Sequence, residues 1–103
     1  MSTGYLDPAD RHSVLVERDL VVMRRWWALA PTIGRDPDSW HDQPLALDLA
    51  QRLLSIAARG IYGDGIVDPA TALDRVATLL GSIEDWLADL EIASAQQSQP
   101  PKP

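Results

Sequence analysis

The chain has 103 residues, 46% hydrophobic and 23% charged, a globular balance that supports one small core and excludes a wholly disordered polymer. Its formal net charge of −6 sets up a field that repels phosphate backbones and anionic lipid, which weighs against nucleic acid and membrane surfaces as partners. It has no cysteine, so a disulfide framework, a thiolate metal site and a cysteine nucleophile are all excluded.

No stretch has the basic-then-apolar pattern of a secretory signal, and no apolar run nears the roughly 18 to 20 residues that span a bilayer, so the expected location is the cytoplasm. The basic residues are almost all arginine, with Lys102 the only lysine, and alanine and leucine dominate the apolar set. That bias points to a high-GC genome, such as an actinobacterium or its phage.

Residues 1–7 read as a flexible N-terminus. Asp7-Pro8 then starts a helix: aspartate accepts from the free N–H groups of the first turn, and proline fits the first helical position without losing a bond. The helix is expected over about 8–30, where Pro31 disfavours helical geometry in the residue before it. On a wheel of 100° per residue, Val16, Leu20, Met23 and Trp27 form the central apolar stripe, flanked by Leu15, Val22, Trp26 and Leu29. Asp10, Glu17, Arg18, Arg24 and Arg25 face water on this reading, and Trp27 rather than Trp26 is the deeper indole. His12 and Asp19, seven residues apart on the apolar side, are expected to hydrogen-bond, to each other through an intermediate or to a neighbouring helix; a partly exposed pH-sensitive pair is the alternative.

Residues 31–43, PTIGRDPDSWHDQ, hold two prolines, a glycine and three aspartates and form a connecting loop. Asp36, Asp38, His41 and Asp42 offer the oxygen and nitrogen donors that metals use, but the acidic spacing and closing glutamate of a calcium loop are missing, and zinc would need more ligands. Turn formation and capping are the expected roles, with no metal and no cofactor.

A second helix, about 44–59, stops at Gly60. It is apolar over more than half its circumference, through Leu45, Ala46, Leu47, Leu49, Ala50, Leu53, Leu54, Ile56, Ala57 and Ala58. Asp48, Gln51, Arg52, Ser55 and Arg59 make its polar strip. Such a helix must touch two neighbours, as the middle member of a three-helix bundle does. The turn GIYGDGIV lacks the lysine and hydroxyl of a phosphate-binding loop, and there is no G-x-S-x-G; no catalytic set emerges and no enzyme is expected.

Asp68-Pro69 starts a third helix, about 69–93. Leu73, Val76, Leu80, Ile83, Leu87 and Leu90 alternate at spacings of three and four, the seam of a helix packed along its length. Ala72, Leu79 and Trp86 recur every seven residues beside it and are expected to form an exposed apolar row. Glu84, Asp85, Asp89 and Glu91 crowd the last turns, where acids oppose the helix dipole at a cost of roughly 0.3 to 1 kcal/mol each. Arginines of the first two helices, or a basic partner, must compensate; mimicry of a nucleic acid is a further possibility. Residues 94–103, SAQQSQPPKP, read as a disordered tail.

These elements predict an all-α protein, a three-helix antiparallel bundle with a disordered C-terminal tail. It is expected to act through protein–protein contacts as an adaptor, regulator or inhibitor, with Ala72, Leu79, Trp86, Glu84, Asp85, Asp89 and Glu91 as the partner-binding residues. The partner is another protein or a second copy, and a homodimer is expected although Asp85 and Asp89 would approach their own images across a two-fold axis. Two alternatives remain: a DNA-binding regulator using Arg24, Arg25 and Arg35, and a small metal protein or enzyme built on the 36–42 loop.

Overall fold

The computed structural model describes residues 7–63 and 67–98; the expected flexible N-terminus through residue 6 and the end of the expected tail, 99–103, lie outside them. Helix α1 spans Pro8–Leu29 and runs into a 3₁₀ turn at Ala30–Ile33; α2 spans Leu45–Tyr62 and α3 Pro69–Ser98. There is no strand among the described residues, and the chain is an all-α three-helix bundle. The helix starts follow the expected chemistry. Asp7 accepts from the N–H of Asp10 at 2.9 Å, and Asp68 accepts from the N–H of Ala70 at 3.0 Å and from the Thr71 hydroxyl at 2.7 Å.

Two helix ends differ from expectation. Helix α2 does not stop at Gly60 but continues to Tyr62, where Gly63 donates its N–H to the Arg59 carbonyl at 2.8 Å. Gly60 has another purpose: a Cβ there would lie 2.5 Å from the Val67 carbonyl oxygen, so only glycine lets the returning chain pass this close. Helix α3 runs on past residue 93 to Ser98, taking up the first part of the expected tail.

Each helix packs on both others. Contacts between α1 and α3 rise together in number, from Arg11 with Asp74 to Arg25 with Glu91, so these two helices are parallel and α2 returns antiparallel between them. The core consists of Leu15, Val22, Trp26 and Leu29 from α1, Ala30 just beyond it, Leu47, Ala50, Leu54 and Ala57 from α2, and Ala72, Leu73, Val76, Leu80, Ile83 and Leu87 from α3. The expected seam of α3 is therefore buried, with Leu90 packed against its edge.

The facing of α1 is a correction. Trp26 is 1% exposed and Trp27 44%, and Leu20, expected at the centre, is exposed as well. The buried stripe is Leu15, Asp19, Val22, Trp26 and Leu29, with a carboxylate in its middle. Ranking positions by apolar character alone favours the uninterrupted Val16, Leu20, Met23 and Trp27, one residue or about 100° round the helix. The arginine flank misleads in the same direction, because Arg18 and Arg25 do not face open water but reach across to α3.

Trp26→Ala is expected to cost roughly 3 to 5 kcal/mol, the range for truncating a buried aromatic, and Trp27→Ala less than about 1 kcal/mol. Urea denaturation of the two variants checks the order; a larger loss for Trp27→Ala would reverse the assigned facing.

Candidate functional site

The charges of α3 divide by side. Toward α1, Asp74 meets Arg11, Glu84 meets Arg18 and Glu91 meets Arg25, each at 2.6 Å. Arg18 and Arg25 both make second bonds through Nε, at 3.3 and 3.2 Å, giving two-pronged pairs. The bond from Arg25 holds the Glu91 carboxyl below its usual range and raises the guanidinium in turn. With α3 running to Ser98, Glu84, Asp85, Asp89 and Glu91 stand before its last turn, so the expected dipole cost does not arise; α1 supplies the cations for Glu84 and Glu91, whereas Arg52 of α2 pairs with Asp48 one turn away at 3.0 Å. Glu84 and Glu91, expected at a partner surface, are engaged inside the bundle. So is Arg25, which separates it from exposed Arg24; Arg35 makes only a 3.5 Å contact to the Asp42 carbonyl.

In the 34–44 loop, Gly34 takes the left-handed conformation (φ 74°) that ends the 3₁₀ turn. The aspartates beyond it are turned onto the backbone: Asp42 accepts from the Asp36 N–H and Asp36 from the Asp38 N–H, both at 2.9 Å. Among the described residues no group of three or more histidine, cysteine or acidic side chains is placed to hold a metal ion. His41 lies instead against Trp40, ring centroids 3.7 Å apart, and Trp40 is 75% exposed.

Inside the bundle, His12 Nε2 donates to the Leu54 carbonyl of α2 at 3.0 Å, as expected of a polar group on the apolar side of α1. Asp19 is buried and its Oδ1 has no hydrogen-bond partner. Burial raises its pKa, and the side-chain bond from Gln51 works the other way. Gln51, assigned by sequence to the outer strip of α2, therefore faces α1, where it also donates to the Met23 sulfur at 3.1 Å.

The outer face of α2 and α3 is where apolar surface stays open. Leu45 is 73% exposed and Leu49 41%, and Ile56 lies further along the helix. A depression of about 510 Å³ runs between Leu49, Leu53, Arg75, Thr78 and Leu79. A second, of about 300 Å³, lies one helical turn along α2 and α3, between Leu45, Ser82, Ile83 and Trp86. The exposed Leu45 side chain also borders a hollow of about 620 Å³ with Trp40, His41 and Arg52. Of the expected apolar row, Leu79 and Trp86 do line this groove, half-buried, with the Trp86 ring stacked on Trp26 at 5.6 Å. Ala72 does not: it is buried. Asp85 and Asp89 are exposed and make no ion pair among the described residues. Leu45, Leu49 and Trp40 were not singled out from sequence; the excess apolar width of α2 was the available signal.

No protein-family model, curated protein or solved structure matches this chain.

Because the folded protein holds a proton on Asp19 more tightly than the unfolded chain does, stability falls as pH rises from about 4 through the raised folded value. Asp19→Asn removes that dependence while keeping a group that can bond Gln51. Its urea midpoint should exceed that of the wild type at pH 7, and the gap should close below about pH 4. Parallel midpoint curves would show that Asp19 carries no burial penalty.

Proposed function

We propose that this chain is a small non-catalytic helical protein that works in the cytoplasm by protein–protein contact, as an adaptor, regulator or inhibitor, through the outer face of α2 and α3. One observation carries the reading: Trp40, Leu45 and Leu49 stand exposed in sequence along an apolar groove floored by Leu53, Leu79 and Trp86. Scattered exposed leucines need no explanation, but a connected apolar face with a tryptophan at its end is the anatomy of a contact surface. Its occupant is another protein or a second copy of the chain. The nucleic-acid reading is weakened by the engagement of Arg25 with Glu91, which leaves Arg24 and Arg35 without the neighbour that would have made a basic patch.

The test is affinity capture from the native host with wild type, Trp40→Ala, Leu49→Glu and Val21→Glu, the last on an exposed part of α1 away from the groove. Bound species should be weakened at least tenfold by the first two substitutions, about 1.4 kcal/mol, and unchanged by the third. Identical capture by all four would move the contact surface elsewhere. A labelled DNA duplex should show no micromolar binding at physiological salt; tight, salt-sensitive binding would replace this reading with the DNA one.

A further inference from the structure

We propose that the groove is covered by a second copy of this chain, the two α3 helices running antiparallel about a two-fold axis at Ser82; this rests on the protein-contact reading and names its partner. Along the groove edge of α3, Arg75, Leu79, Ser82, Trp86 and Asp89 follow one another at intervals of four, three, four and three, and so form one stripe. In order, the stripe is a cation, an apolar side chain, a small one, an apolar side chain and an anion. Reversed and laid on itself, it is its own complement.

Arg75 and Asp89 stand seven residues either side of Ser82, so each faces the other's copy. Leu79 and Trp86 come within one residue, about 1.5 Å, of facing each other across the axis. Ser82 meets Ser82, where two small side chains let the helices approach. Every favourable pair is made twice, which is what a two-fold interface requires of a single surface.

The charges on α3 say why the occupant is this chain. Its acids on the α1 side are satisfied within the molecule, whereas Arg75, Asp85 and Asp89 are exposed and make no ion pair among the described residues. They are also sorted, cation toward the N-terminal end and anions toward the C-terminal end, the arrangement that an antiparallel copy neutralises. The repulsion expected between Asp89 and its own image does not arise, since antiparallel helices place the two about 21 Å apart along the axis, well beyond the screening length of about 8 Å at physiological salt. Asp85 and its image stay about 9 Å apart along the axis, close to that length, and this is the one like-charge pair the dimer retains. The second copy's α3 then runs along Leu45 and Leu49, covering the apolar surface that the bundle leaves open.

Sedimentation equilibrium on the full chain reads the outcome, with helicity by circular dichroism confirming that each variant is folded. The wild type should be dimeric at micromolar concentration, Leu79→Glu and Arg75→Glu should each weaken it at least tenfold, and Arg75→Glu with Asp89→Arg should restore it by reversing both pairs. The chain has no cysteine, so a disulfide in Ser82→Cys can join only two copies at that position. Oxidation should cross-link Ser82→Cys, whose facing Cα atoms fall in disulfide range at ordinary helix spacing, and should leave Asp89→Cys uncross-linked. Three results overturn the proposal: a wild type monomeric at high micromolar concentration, a dimer that Leu79→Glu leaves intact, or a charge reversal that fails to restore Arg75→Glu. A monomeric wild type whose captured partner is still lost on Leu49→Glu would end the dimer and leave the protein-contact reading standing.

Discussion

The rotation of α1 about its own axis is the constraint on which the other features depend, and the Trp26 indole sets it. With that ring buried and stacked on Trp86, Leu15, Val22 and Leu29 fall into the core, and Asp19 is carried in with them. The same rotation aims Arg11, Arg18 and Arg25, seven residues apart, at α3 and leaves Leu20 and Trp27 outside. Turning the helix by one residue, about 100°, would bury Trp27 and free Asp19, but it would swing all three guanidinium groups away from their carboxylates. Burying one carboxylate is thus coupled to placing three ion pairs and one large aromatic, and these outcomes cannot be chosen separately.

The ion pairs matter more for selecting this arrangement than for stabilising it. Each is partly exposed, and such pairs contribute only about 0 to 1 kcal/mol. A misplaced helix, however, loses the attraction and leaves three carboxylates and three guanidinium groups without their partners. Their spacing also resists sliding. Arg11, Arg18 and Arg25 are evenly spaced and meet Asp74, Glu84 and Glu91 in turn, so sliding α3 one heptad either way re-pairs at most two of the arginines with these carboxylates. Aromatic packing sets the rotation, and only the native register satisfies all three arginines.

Most of the architecture was legible in the chain. Asp7-Pro8 and Asp68-Pro69 marked two helix starts, and the Leu73 to Leu87 seam and the breadth of α2 implied three mutually packed helices. What misled was the treatment of polar groups as a guide to solvent. Arg18, Arg25 and Gln51 all lie at helix contacts, where long stems cover apolar surface or one helix bonds another. The candidate surface was half legible for a related reason. Leu79 and Trp86 stood out by heptad spacing, but Ala72 on the same row is buried; a heptad row drifts about 20° round the helix at each repeat and so need not keep one exposure. Trp40 and Leu45 flank Pro44 at a loop-to-helix junction, where no periodicity exists to assign a face.

The groove and the buried carboxylate are connected through Trp86. One side of its ring lies on Trp26, in the core, and its edge lines the groove beside Leu45 and Ile83. Trp26 in turn follows Asp19 on the same buried stripe, and its Nε1 has no acceptor. A polar N–H and a carboxylate oxygen, both buried and incompletely bonded, tax the core where α1 meets its neighbours. Trp26 is already 1% exposed, so of the stacked pair it is Trp86 that borders the outer face.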